Sequence, residues 1–437
     1  MKKERYNKNN FRESRVFLED CRFAIKSDST TMEECPMQDW PQEIRFIPYP
    51  PRGTPDELLQ WAVGLIGPYL PTSSLEDVRR IVIAKAPSRM HDIGGWGDIE
   101  MFNRLHHGMV VNVALGLWTA VVVVELNQEG PTFYHPLDLE MSGLSLEDEE
   151  AAVLRETIAE VEERLHLDSQ KQYETHYFAV GQAPPNSGLG SSACLGVALA
   201  KAVMEIKGLT HKKYEVAMIA LIVESVRLGL LTGNQDHGAS GYGGILAIEI
   251  RKGGFPHFTP VALGLSDGIK RQMEDGTLLV YPGAAGRPVR SSRRHEDVVQ
   301  SIKQGDEGVI GAIQRIVTTA EQAKQALLAG DWQTYCKLYG ENGRCQLSLC
   351  DGMVTEEALD IMRFVEDKGA YAKPSGAGGA IGIVVPQGSE RAAAIRDRLE
   401  REVLSGIPGA MFLPVKVDYE GVSSLSFDSG QVAACLS

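Results

Sequence analysis

The sequence predicts an α+β fold in two domains, and three observations carry that expectation. Segments rich in β-branched residues at 80–85, 109–126, 175–180 and 242–249 read as strands, with long helical patterns at 145–165 and 214–230 between them. Near 253–265 the texture changes, and helical patterns at 308–328, 356–366 and 389–403 then mix with strands at 381–385 and 412–419. A glycine-rich segment, Pro185-Asn186-Ser187-Gly188-Leu189-Gly190-Ser191-Ser192, joins the strand at 175–180 to a helix of small residues at 193–203. These marks divide the chain into an extension of unassigned role (1–79), a first domain (80–252) and a second domain (253–437).

In chain order, the extension is punctuated by Pro48, Pro50, Pro51 and Pro55, and a short helix is expected at 55–65 with Pro55 in its first turn. The apolar run at 109–126 contains Asn112, Gly116 and Thr119, so it reads as two strands joined by a turn around Gly116, not a membrane span. Ser145 is expected to cap the helix at 145–165, whose first turn is acidic. The helix at 214–230 is apolar on every face until Glu224 and is therefore expected to be buried.

Bulk composition narrows the function. The 437 residues hold 44 basic and 58 acidic side chains, a net charge of −14 that argues against nucleic-acid binding. Cys21, Cys35, Cys194, Cys336, Cys345, Cys350 and Cys435 are scattered, with no zinc spacing. Such a set reads as reduced, and no secretory signal opens the sequence. A soluble cytoplasmic protein acting on a small molecule, with no membrane or nucleic-acid partner, is the expectation; oligomeric state is not legible.

Six places carry candidate chemistry. The glycines of the 185–192 segment permit close backbone approach, and the helix behind it offers unpaired N–H donors and a positive dipole end, a seat for phosphate or simply a capped turn. Glu224 needs a partner in its apolar helix: either Arg227 at i+3 or a hard cation. Asp236, in Thr232-Gly233-Asn234-Gln235-Asp236-His237-Gly238, either caps a turn or takes a proton from a substrate hydroxyl, while His237 reads as a packing or loop residue. In Lys85-Ala86-Pro87-Ser88-Arg89-Met90-His91-Asp92-Ile93-Gly94-Gly95-Trp96-Gly97-Asp98, the Trp96 ring beside acids suits a sugar face, or a packed turn. A second glycine-rich loop, Lys373-Pro374-Ser375-Gly376-Ala377-Gly378-Gly379-Ala380, permits close approach to a ligand or to the first loop. Arg287, Arg290, Arg293 and Arg294 make a local basic patch able to hold a phosphorylated substrate.

The order of these pieces resembles the GHMP kinase superfamily over roughly residues 80–420. Within it, Ala86-Pro87-Ser88-Arg89, Gly94-Gly95-Trp96-Gly97-Asp98, Gly233-Asn234-Gln235-Asp236, Arg290-Ser291-Ser292 and Val415-Lys416-Val417-Asp418-Tyr419-Glu420-Gly421 are similar to the sugar anomeric kinases, the heptose 7-phosphate and L-fucose kinases. The resemblance implies a ribosomal protein S5 domain 2-like N-terminal domain, a ferredoxin-like C-terminal domain, and ATP and Mg²⁺ as cofactors. It implies ATP contacts at Pro185, Ser187, Gly188, Leu189, Gly190, Ser191, Ser192, Gly376 and Gly378, and Mg²⁺ held by Ser192 and Glu224. It implies Asp236 as base or orienting acceptor and Arg89 as neutraliser of the transferring phosphoryl charge. Gly95, Trp96, Asp98, Gln235 and Arg290 would line the acceptor, a sugar or sugar phosphate attacked through its anomeric hydroxyl.

Departures from that pattern fall in motif one, after the tryptophan turn and in the last glycine loop. Met90-His91 stands where an Ile-Asp pair is usual, displacing Asp92 by one. Ile99-Glu100-Met101-Phe102 replaces a Thr-Pro-Pro-like segment, and Gly379 is followed by Ala380 where a further glycine is common. Two other readings stay open: a kinase of this superfamily for another small alcohol, and a non-catalytic sugar- or nucleotide-binding sensor.

Overall fold

The computed structural model describes residues 53–67, 69–70, 77–137, 147–165, 173–184, 186–283 and 291–436. Helix α1 (Pro55–Ile66) begins on Thr54, which accepts from Glu57 N while the Glu57 carboxylate accepts from Thr54 N, and Pro55 occupies the first turn. Strands β1 (Val78–Ile93), β2 (Gly108–Glu129) and β3 (Thr132–Pro136) precede helix α2 (Glu147–Leu165). Strand β4 (Tyr173–Gly181) delivers the chain to helix α3 (Ser191–Ile206). Helix α4 (Lys213–Ile222) runs into a π-helical turn (Val223–Arg227), followed by helix α5 (Gln235–Tyr242) and strands β5 (Ile245–Ile250) and β6 (Thr259–Ala262).

The second half contributes helix α6 (Asp267–Asp275), strand β7 (Thr277–Pro282) and helices α7 (Ser291–Gln304), α8 (Glu307–Ala329), α9 (Trp332–Leu347) and α10 (Glu356–Glu366). Strands β8 (Tyr371–Pro374) and β9 (Ile381–Val384), helix α11 (Ser389–Glu402), strand β10 (Ala410–Leu413), strand β11 (Ser423–Asp428) and helix α12 (Ser429–Leu436) complete it.

Among the described residues two sheets form. The first runs β11–β1–β2–β4–β3, with β5 on β2 and β6 on β5; the second runs β10–β7–β9–β8. Side chains of β1 and β2 alternate between two apolar layers, so both faces are buried. Val82, Ala84, Val121 and Val123 pack under α2, α3 and α4, while Ile81, Ile83, Val122 and Val124 face α1 and α12. A third cluster joins Met90, Ile93, Val111, Val113 and Ile245 of the first sheet to α8, α9 and the second sheet in one continuous core. This is the expected α+β architecture.

Several expectations change here. The run at 109–126 is one 22-residue strand, not a hairpin. Both of its halves keep pairing with β1, and the register slips between Pro87↔Trp118 and Ser88↔Leu115, so Gly116 sits at a bulge. The bend lets the front of β2 pair with β5 and the rear with β4. Tyr242 closes α5 instead of opening a strand, and the strand expected at 412–419 stops at Leu413. The cap assigned to Ser145 lies outside the described residues. The division at 252/253 does not coincide with the sheets, because β6 and β11 both hydrogen-bond into the first one. Nor do residues before 80 stand apart: α1 packs on the first sheet and β1 starts at Val78.

Candidate active site

The site gathers where β1, the glycine-rich loop and α5 meet. Asn186, Gly188 and Gly190 take left-handed backbone (φ 56°, 67° and 79°), winding the loop into the start of α3. Gly190 is the N-cap, and no side chain caps the helix. Its first N–H donors therefore face the loop mouth, where Ser191 and Ser192 are exposed. Leu189 and Ser187 turn inward, so they offer backbone rather than side chain; the buried Ser187 hydroxyl has no hydrogen-bond partner. Pro185 lies outside the described residues.

Arg89 binds this loop to Asp236. Its backbone N–H donates to Leu189 O (3.0 Å) and its Nη1 to Gly188 O (2.5 Å). Nε and Nη2 donate to the two Asp236 oxygens at 2.6 and 3.2 Å, a bidentate fork. Burial opposes the Arg89 charge, but Asp236 and Asp92 outweigh it and hold the guanidinium firmly protonated. Asp236 stands in the first turn of α5, and a Cβ on Gly190 would lie 3.0 Å from its Oδ2, so glycine is what lets the loop reach the carboxylate.

Asp92 ties motif one to the second glycine loop. Its Oδ1 receives Lys373 Nζ at 2.7 Å, and its Oδ2 accepts from Gly376 N at 2.9 Å and lies 3.5 Å from Arg89 Nη1. Burial would raise the Asp92 pKa, yet Lys373 and Arg89 keep it below the ordinary carboxylate value. The one-residue displacement of Asp92 is absorbed locally. His91 has φ 55° and the β1–β2 register slips between Met90 and Ile93, a bulge that returns Asp92 to the site. The buried His91 donates to or accepts from Tyr335 Oη (3.0 Å), and desolvation lowers its pKa to about 3, so the ring is neutral.

Glu224 does not meet Arg227, the i+3 partner expected for it. The π-helical turn directs it inward while Arg227 reaches α2, where it pairs with Glu156 (3.0 Å) and Glu160 (2.6 Å). Glu224 instead contacts the Ser192 hydroxyl through Oε1 and lies 2.8 Å from His237 Nε2 through Oε2. His237 is fully buried. Burial works against both charges, but each partner outweighs it, lowering the Glu224 pKa and raising that of His237.

The acceptor-side residues divide. Gly95 and Gln235 adjoin: a Cβ at Gly95 would sit 2.8 Å from Gln235 Nε2, and the buried Gln235 Oε1 has no hydrogen-bond partner. Asp98 is buried and accepts from Trp96 N and Gln235 N, both at 3.1 Å, tying the tryptophan turn to α5. Desolvation, then the neighbouring Asp236 charge, raises its pKa to about 6. The Trp96 ring is not an open platform: it is 5% exposed and stacks on His295 at 4.7 Å. Gly376 and Gly378 pack the second loop. A Cβ on Gly376 would lie 2.8 Å from Gly188 O, and one on Gly378 would strike the Met353 carbonyl. Ala380 N donates to Ser187 O, so the two glycine loops abut. Arg290 lies outside the described residues. Arg294, part of the expected basic patch, is buried and donates to Gly352 O and Ala377 O. Residue patterns assigned no role to Lys373 or His295; a lysine entering an apolar strand beside a glycine loop was the available sign for the first.

Residues 152–244, spanning α2, the glycine loop, Glu224 and Asp236, match the family described as GHMP kinases N terminal domain. That stretch is therefore a GHMP kinase N-terminal domain. The chain is an ATP-dependent phosphotransferase. It is 26% identical over 308 residues to D-glycero-alpha-D-manno-heptose 7-phosphate kinase of Campylobacter jejuni, covering 68% of this chain and 87% of that one. It is 24% identical to glucuronokinase 1 of Arabidopsis thaliana, covering 54% of this chain and 62% of that protein. The crystal structure of a D-glycero-D-manno-heptose 1-phosphate kinase from Bacteriodes thetaiotaomicron superposes with a TM-score of 0.61 at 22% identity, over 79% of this chain and 98% of that one. Among the described residues, no helix is long and apolar enough to cross a membrane.

Proposed function

We propose that this kinase transfers the ATP γ-phosphate to the anomeric hydroxyl of a sugar or sugar phosphate, of the heptose 7-phosphate or fucose kind. The observation that carries the reading is Asp236, forked by Arg89 and facing Gly190 at the mouth of α3. The names of the relatives support a sugar acceptor. ATP phosphates would lie on the 188–192 loop against the uncapped helix start, and Gly376 and Gly378 would back that loop.

Among the described residues no group of three or more His, Cys, Asp or Glu side chains is arranged to hold a metal. The hard oxygens of Ser192 and Glu224, in contact at the loop mouth, suit a Mg²⁺ that arrives on the phosphates and takes its other ligands from them. When bound, that ion neutralises phosphate charge. Asp236 accepts the proton of the acceptor hydroxyl, and the Arg89 fork holds its carboxylate in one orientation. Nε, Nη1 and Nη2 each hold a partner in Asp236 or Gly188, which fixes the Arg89 guanidinium where its positive field reaches the transferring phosphoryl group. Gly95, Gln235 and Asp98 would line the acceptor, with the orphaned Gln235 Oε1 a ready acceptor for a sugar hydroxyl. Trp96 would support that wall from behind, and Arg290 would meet an acceptor phosphate. The same reading keeps 80–252 as the ATP, metal and base domain and 253–437 as its C-terminal counterpart, which lends β6 and β11 to the first sheet.

The test is ATP turnover against a panel of sugars and sugar phosphates, with wild type beside Asp236→Asn. We expect one acceptor to stimulate turnover, a product phosphorylated at C1 by NMR, and a drop in kcat of about 10²–10⁴-fold in the variant with sugar binding retained. No stimulation by any acceptor, with equal sugar binding by both proteins, sinks the enzyme reading in favour of a sensor. Substituting Arg290 should weaken a phosphorylated acceptor more than its unphosphorylated analogue; equal effects remove that role.

A further inference from the structure

Two consecutive residues at the start of α5 serve opposite sides of the site. Successive helical side chains point about 100° apart, so Asp236 turns to Arg89 and Gly190 while His237 turns to Glu224. Glu224 rides on a π-helical turn, where its own helix provides no i+3 partner because Arg227 is held on α2. Its carboxylate nevertheless has a neighbour at each end: the Ser192 hydroxyl donates to Oε1, and His237 Nε2 stands 2.8 Å from Oε2 at ion-pair distance. The ring has no room to turn aside, being fully exposed to protein and not at all to solvent.

We propose that His237 is a positioning residue for the metal-binding oxygen: by occupying Glu224 Oε2 it aims Oε1 at Ser192 and the start of α3. This rests on Glu224 being a ligand of the nucleotide's cation. Outer partners of metal ligands fix their orientation, and their loss typically weakens metal affinity by about 10–100-fold. The fully buried His237 ring offers no surface to nucleotide or acceptor. It also links the two functional carboxylates mechanically, since the same helical turn carries Asp236 and the brace of Glu224.

The experiment titrates Mn²⁺ into the full-length protein with a non-hydrolysable ATP analogue, reading free Mn²⁺ by electron paramagnetic resonance. Wild type is set beside Glu224→Gln, His237→Asn, His237→Leu and His237→Gln. We expect Asn, too short to reach Oε2, and Leu, with no donor, to weaken Mn²⁺ binding by about 10–100-fold. Gln, which presents an Nε2–H at similar reach, should return affinity to within a few-fold of wild type. In turnover assays the Asn variant should need more Mg²⁺ and recover kcat at saturating Mg²⁺, a rescue that a merely structural defect would not show. Wild-type Mn²⁺ affinity in a folded His237→Asn protein overturns the positioning role, as does a Gln variant as weak as Asn. If Leu fails to fold, the Asn and Gln pair still decides. If Glu224→Gln itself binds Mn²⁺ normally, the metal-ligand reading of Glu224 falls first and takes this one with it.

Discussion

Asp98 shows how a single buried carboxyl reports on the site. Its oxygens receive the Trp96 and Gln235 amides, while desolvation and the Asp236 charge raise its pKa to about 6 from the ordinary 3.8. Between those values the folded protein holds a proton that the unfolded chain has lost. Stability from this group is therefore greatest at low pH and declines as pH rises through that window, at roughly 1.4 kcal/mol per pH unit. Carbon NMR of the Asp98 carboxyl should show a midpoint near 6, and Asp236→Asn should move it down by removing the second cause. A midpoint unchanged in that variant would mean desolvation alone sets it. The Trp96 ring teaches the complementary lesson: an aromatic beside glycines looked like a sugar platform, and it is packed on His295 instead.

At the scale of elements, the contact between the two glycine loops organises the site. Ser187 and Ala380 pair through their backbones, and Gly376 leaves space for Gly188 O. The strap holding them to β1 is the Lys373–Asp92 pair, 1% and 2% exposed, with Gly376 N on the same carboxylate. Deleting one partner of a buried pair typically costs about 3–5 kcal/mol. Lys373→Met should destabilise toward the low end of that range in chemical denaturation, because Arg89 and Gly376 N still serve the other Asp92 oxygen. Adding Asp92→Asn should restore part of the loss, because the buried charge facing the deleted ammonium is gone. If the double variant is no more stable than the single one, the pair's charge is not what holds the loops. The bulge at His91 belongs to the same scale: its positive φ and the slipped register turn Asp92 toward Lys373, Gly376 N and Arg89.

At the scale of the whole molecule, the chain ends where its first sheet begins. Strand β11 pairs antiparallel with β1 from Arg80↔Asp428 to Lys85↔Ser423, and Val432 of α12 joins the layer that also holds α1. Truncation after Pro414 should therefore expose one edge of β1 and strip part of that layer, although the proposed catalytic residues Arg89 and Asp236 both precede the cut. Hydrogen exchange should then speed at 80–85 while β7 and β9, paired within the second sheet, keep their protection. Equal loss of protection in both sheets would mean that the shared core, with Met90 and Ile93 against α8, makes the molecule one cooperative unit.

Local chemistry made several features legible in the sequence alone. The α+β class, helices such as Glu356–Glu366, and the strand–glycine loop–helix order all follow from periodicity and from backbone demands that only a few residue types meet. The motif order was enough to point to the GHMP kinases. What required the tertiary structure were choices among partners distant in sequence. Glu224 took His237 and Ser192 over Arg227 because a π-helical turn rotated the two apart. The hairpin read at Gly116 became one bulged strand because β1 ran long enough to pair with both halves. A segment 170 or more residues past the expected boundary returned to the first sheet because β1 had an open edge there. Spacing along the chain limits what a residue is able to reach, and packing decides which of those partners it meets.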